Sequence, residues 1–164
     1  MAGRITKSDD QLCPDPRHND KVLSKFINCV MSDGKKSTAR RIVYDALDQI
    51  QSRLDKETSE DAPKESIDLF HRAMKNVKPS VEVRSKRVGG ANYQVPMSVS
   101  PRRQQSLAFR WIINAARDEK GKPMSARLAK ELWDAGRNEG KAVSTRENTH
   151  RMAEANKAFA HFGW

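Results

Sequence analysis

The sequence predicts a mainly α chain: a single-domain bundle of about six helices from which a basic β-hairpin arm protrudes. Three observations predict it. Apolar residues recur at helical spacing in six separate stretches. Only the stretch from Pro79 to Arg103 carries a period of two. The 164 residues hold no internal repeat and no composition break that would set off a second domain, so residues 1–164 are taken as one unit. The 31 Lys and Arg against 21 Asp and Glu leave a net charge of +10, which points to a polyanionic partner.

In chain order, residues 1–19 show no periodicity. Arg4, Lys7 and Arg17 are mixed with Asp9, Asp10 and Asp15, and Pro14 and Pro16 favour an extended N-terminal arm. Asn19 or Asp20 caps a first helix with Val22, Phe26, Ile27 and Val30 on one face, and Gly34 after Asp33 offers it a C-terminal cap. The second helix is long, with Ala39, Ile42, Val43, Ala46, Leu47, Ile50 and Leu54 inward and Lys35, Lys36, Arg40 and Arg41 at its start. Residues 55–65 reverse the sign of charge and read as an acidic linker turned away from any phosphate backbone. Asp61 and Pro63 open a third helix with Ile67, Phe70, Met74 and Val77 inward.

The arm occupies residues 79–100. Val81 and Val83 alternate with polar residues before Gly89-Gly90, and Val95, Met97 and Val99 do so after it. Keeping apolar residues on one face favours a register pairing Val83 with Met97 and Val81 with Val99, through a three-residue loop, over a two-residue turn at the glycines. Strands of about ten residues would span roughly 30 Å. The tip then carries Arg84, Lys86, Arg87, Asn92, Tyr93 and Gln94, with nothing apolar to bury, as expected of an arm completed by a negative partner.

Ser100 and Pro101 open a fourth helix with Leu107, Ala108, Trp111, Ile112 and Ala115 inward and Arg102, Arg103, Arg110 and Arg117 elsewhere. After Gly121 to Pro123 a fifth helix carries Leu128, Leu132 and Trp133 and fades at Gly136 or Gly140. Ser144-Thr145-Arg146-Glu147 has the form of a capping box for a last helix reaching about Phe162. Met152, Ala155 and Phe159 share a face of that helix, while Arg146, His150, Arg151 and Lys157 have no core to serve, which places it at an interface.

The sequence carries no catalytic constellation. His18, His71, His150 and His161 are scattered, and His18 with Cys13 lacks further ligands, so no metal and no cofactor is expected. Gly34-Lys35-Lys36-Ser37 lacks the preceding glycine and feeding strand of a phosphate-binding loop. Two cysteines without C-x-x-C spacing make no disulfide framework, no apolar run is long enough for a membrane span, and the start has no secretory pattern. A reduced, cytoplasmic binding protein is expected rather than an enzyme.

Several strings carry a specific likeness. Asp33-Gly34-Lys35-Lys36-Ser37-Thr38-Ala39, Arg87-Val88-Gly89-Gly90, Tyr93-Gln94-Val95-Pro96 and Met152-Ala153-Glu154-Ala155-Asn156-Lys157-Ala158-Phe159-Ala160-His161 resemble the bacterial small-subunit ribosomal protein S-seven family, in the same order from about Pro14 to Trp164. The resemblance implies an all-α body with a β-ribbon that binds the 3′ major domain of small-subunit ribosomal RNA and nucleates assembly of the head. It implies a place near the exit tRNA site and the mRNA channel, as a monomer within the ribosome, with small-subunit proteins nine, eleven, thirteen and nineteen as neighbours. Some bacterial members also repress translation of their own mRNA. Carried onto this chain, Lys35, Lys36, Arg84, Lys86 and Arg87 become ribosomal RNA contacts. Arg40, Arg102, Arg103 and Arg110 join them by position and charge, and Gly89, Gly90, Asn92 and Tyr93 form an arm tip near tRNA and mRNA. A cytoplasmic or an organellar ribosome fits equally. The N-terminus departs from the family in being less densely basic, and the acidic 55–65 stretch is longer than usual.

The alternatives are an architectural DNA-binding protein and a protein-interaction module with incidental basicity. DNA-bending arms commonly carry an apolar wedge at the tip. Here the tip is Gly-Gly, and Pro96 lies back along the strand.

Overall fold

The computed structural model describes residues 12–57 and 63–162. Among these, six α-helices surround one core: α1 (Lys21–Val30), α2 (Lys36–Leu54), α3 (Ser66–Val77), α4 (Pro101–Asp118), α5 (Met124–Gly136) and α6 (Lys141–Ala155). Strands β1 (Val81–Val88) and β2 (Ala91–Ser98) form the hairpin between α3 and α4, and a 3-10 turn, Lys157–Phe162, ends the described chain. The mainly α fold with one antiparallel hairpin is the one the sequence predicts.

The centre of the bundle is aromatic. Phe26 of α1 stands edge-on to Phe70 of α3 (5.4 Å between ring centroids) and to Phe109 of α4 (5.3 Å). Leu23, Ile27, Val43, Leu47, Ile50, Val77, Ile112, Leu128 and Leu132 fill the rest, almost wholly shielded from water. The periodic stripes of α1 to α5 therefore point where their spacing said. Phe109 and Ile113 of α4 are also buried, whereas Trp111 and Trp133 lie at the margin of the core. Arg137 and Arg53 lie over the Trp133 ring at 4.9 and 5.9 Å, so its outer face is sheltered by cations.

Four helix ends differ from expectation, one of them that of the last helix, which closes at Ala155 and gives way to the 3-10 turn instead of running on to about Phe162. Asp20 caps α1 as its residue type suggested, accepting from the Leu23 amide at 2.7 Å, but the helix ends at Val30, and Gly34 serves the turn into α2 instead. Helix α3 starts at Ser66, whose amide donates to Gln51 Oε1 across from α2; the expected start at Asp61 lies outside the described residues. Helix α6 starts at Lys141, three residues before the predicted capping box. Ser144 and Thr145 bond back to the carbonyls of Gly140 and Lys141 within the helix. The cap comes from another helix: buried Glu131 of α5 accepts from the Ala142 amide at 2.8 Å. Glycine suits position 140, because its φ of +92° is one that L side chains rarely adopt, and a Cβ would stand a tight 3.1 Å from both Asp134 Cβ and Glu131 Oε1.

Burial holds the Glu131 carboxyl above its usual range, against the pull of the Ala142 amide. Glu131→Ala should cost about 1–3 kcal/mol, because it strands a buried donor. Glu131→Gln keeps an acceptor and should cost less. Thermal melts of the two variants check the difference.

Residues 12–20 do not follow an extended path throughout. Pro16 to His18 form a turn closed by the Asn19 amide donating to the Asp15 carbonyl. The buried Asp15 carboxylate accepts from the amides of Arg17 and His18 and from the Tyr44 hydroxyl of α2 at 2.7 Å. Burial and that bond push the Tyr44 pKa up to about 12. The basic N-terminal residues Arg4 and Lys7 lie outside the described residues, as do residues 58–62 of the acidic linker. Glu57, at the linker's near end, pairs with Arg137 at the C-terminus of α5.

Candidate nucleic-acid interface

The basic side chains expected to meet RNA fall in two groups that reach solvent. The first stands at the start of α2. The chain turns there through Asp33 and Gly34, both with positive φ (53° and 72°), and the helix begins with no side-chain cap and no acidic residue in its first turn. Lys35 and Lys36 are exposed and Arg40 is half-buried one turn on. The positive end of the helix dipole, reinforced by two ammonium groups, favours an anionic partner electrostatically.

The second group is the hairpin with the start of α4. Its register differs from the expected one. Val81 faces Ser98, Glu82 faces Met97, Val83 faces Pro96 and Val88 faces Ala91, so the turn is the two-residue Gly89-Gly90. Both glycines have positive φ (57° and 88°), the combination whose twist matches that of the flanking strands. The strands are eight residues long, which makes the arm about 26 Å at roughly 3.3 Å per residue.

This register places Glu82 on the same face as Val95, a mixing of faces that the apolar pattern alone disfavours. The structure accommodates it by pairing. Glu82 is only 10% exposed and accepts from Arg84 Nε at 2.7 Å and from Arg103 Nε at 3.2 Å. One carboxylate thereby gathers an arm arginine and an α4 arginine at the base of the hairpin. Arg84 remains 55% exposed and Arg103 38%, so both still present guanidinium edges to solvent.

The arm is braced rather than free. Strand β1 packs on α6, and β2 on both α6 and the C-terminal 3-10 turn. Lys86 donates to the Phe162 carbonyl at 2.8 Å, and Tyr93, its cross-strand partner, lies 5.2 and 5.3 Å from the Phe159 and Phe162 rings. Lys86 and Tyr93, both assigned to the outward tip by sequence, thus meet the C-terminal turn. The opposite face carries Ser85, Arg87, Asn92 and Gln94, all exposed, as are Gly89 and Gly90 at the tip. Arg102 and Arg110 lie on exposed positions of α4.

Residues of α6 expected to have no core to serve also hold the arm and body together. Arg146 donates to the Asn76 carbonyl of α3 and to Asn138 Oδ1, and His150 accepts from the Ser80 amide. The last helix is poorly apolar because hydrogen bonds do part of its docking; Met152, expected to share a face with Ala155 and Phe159, is 52% exposed. Of these interactions, the ring contacts alone had a sequence signal, in the aromatic spacing of Phe159 and Phe162. Among the described residues no group of three or more His, Cys, Asp or Glu is placed to hold a metal ion.

The family described as "Ribosomal protein S7p/S5e" matches residues 2–157. A protein of Rhodopirellula baltica, "Small ribosomal subunit protein uS7", is 59% identical over 162 residues, covering 99% of each chain. Proteins of the same description from Sphingopyxis alaskensis and Rhodobacter capsulatus are 53% and 51% identical over 164 residues, covering 100% of each chain. With a helical body, a basic hairpin and a family match spanning nearly its whole length, this chain belongs to the ribosomal protein S7p/S5e family, whose members are structural rather than catalytic.

Proposed function

We propose that this chain is a structural constituent of the small ribosomal subunit that binds the 3′ major domain of its ribosomal RNA and nucleates assembly of the head. The single observation that carries the reading is the full-length family match, laid over two solvent-facing basic groups. Lys35, Lys36 and Arg40 at the uncapped start of α2 take backbone phosphates. Arg84, Arg87, Arg102, Arg103 and Arg110 do so along the arm and α4. Phosphate contacts of this kind fix register and orientation, and folded RNA is recognised largely by shape. Lys86 contributes charge from beside the C-terminal turn.

The Gly89-Gly90 tip with Asn92 lies near the exit tRNA and the mRNA channel, and Tyr93 supports it from the braced face. Small-subunit proteins nine, eleven, thirteen and nineteen are its neighbours, and the chain enters the ribosome as a monomer, in the cytoplasm. No helix among the described residues is long and apolar enough to cross a membrane.

Sedimentation of a cell extract tests the assignment. The protein should travel with the small subunit and move to the slow fractions after ribonuclease but not after deoxyribonuclease. Slow migration before any treatment, or release by deoxyribonuclease alone, would overturn it.

A further inference from the structure

The hairpin joins the body at Ser80. Its carbonyl accepts from the Val99 amide at 3.1 Å and so closes the ladder, while its own amide donates to His150 Nε2 of α6 at 3.2 Å. The Ser80 hydroxyl lies 3.5 Å from the same nitrogen. A backbone amide can only donate, so the imidazole must be neutral, with its proton on Nδ1. We propose that His150 is a pH-dependent latch at the root of the arm, closed while its ring is neutral and opened by protonation.

The surroundings favour this behaviour. His150 lines a cleft with Val81, Pro96, Met97 and Ser98 of the hairpin, none of them titratable. Arg146 on its own helix is the charge that acts on it, and Glu154 and Lys157 line the same cleft. Burial, and then the Arg146 guanidinium, hold the imidazole below its usual pKa. A protonated ring would put a donor against the Ser80 amide, so the bond is lost and the two groups repel. The sign follows from linkage. The folded form binds this proton less readily than the unfolded chain, so the contribution is complete above the ordinary histidine range. It is lost as pH falls through the lowered folded value.

The latch concerns the attachment of the arm and stands whether or not the proposed ribosomal role does. The test is amide exchange and ring titration by NMR on the full chain. His150 should titrate below about 6.5. The Ser80 protection factor should fall by up to about tenfold across that titration, in line with one lost hydrogen bond. His150→Gln, which keeps an acceptor without a titrating proton, should hold Ser80 protection constant with pH. His150→Ala should leave it low throughout. A wild-type His150 titrating at or above 6.5, or Ser80 protection that ignores its titration, would overturn the proposal.

Discussion

Phe26→Ala should lower the unfolding free energy by about 3–5 kcal/mol, the largest single effect expected in this chain. Phe26 is fully buried and contacts aromatic rings from two other helices, so truncation removes its own transfer free energy and opens a cavity among α1, α3 and α4. For a domain of this size each kcal/mol moves the midpoint by about 2–4 °C, which puts the expected loss on the order of 10 °C. Trp111→Ala should cost less, since that ring sits at the edge of the core. Any loss of RNA affinity in Phe26→Ala should track the unfolded fraction. Urea and thermal melts separate the two variants; equal stability would mean that the helices do not converge on Phe26.

The second large effect lies in binding. Replacing Lys35, Lys36, Arg84 and Arg87 by Ala should flatten the dependence of log affinity on log salt by about 3–4, roughly one unit for each phosphate no longer neutralised. Stability should change little at Lys35, Lys36 and Arg87, where surface substitutions usually stay within about 0.5 kcal/mol each, and more at Arg84, which is one of the two arginines paired with the buried Glu82 carboxylate. Lys86 is left intact in this variant, since removing it would also cut the bond to Phe162 and loosen the brace. Early melting with full affinity would mean that these four side chains serve the fold instead of the RNA.

The helices were legible in the sequence because their stability comes from apolar stripes, and a stripe is a local pattern. Val43, Leu47 and Ile50 of α2 announce their buried face without reference to any other segment. What was not legible depends on partners distant in sequence. The hairpin register turns on Glu82, which looked unfit for a buried face until Arg103, 21 residues on, is seen to pair with it. The start of α6 turns on Glu131 of α5, which makes the local capping signal at Ser144 irrelevant. Tyr93 reads as an outward tip residue because nothing in the arm covers it; the cover comes from Phe159 and Phe162. Of the candidate site, residue type and exposure were readable at Lys35, Lys36, Arg84 and Arg87. Which face of the arm each residue occupies was not, because a slip of one residue reverses every side chain.

The central claim is that the basic groups at the start of α2 and on the arm hold ribosomal RNA through its phosphates. A filter-binding titration of the wild-type chain on the isolated 3′ major domain, across salt concentrations, tests it most directly. With roughly six to ten phosphates neutralised, log affinity should fall against log salt with a slope of about −5 to −8, and an unrelated RNA of equal length should bind more weakly throughout. A slope of about −1, or equal affinity for both RNAs, would contradict the account.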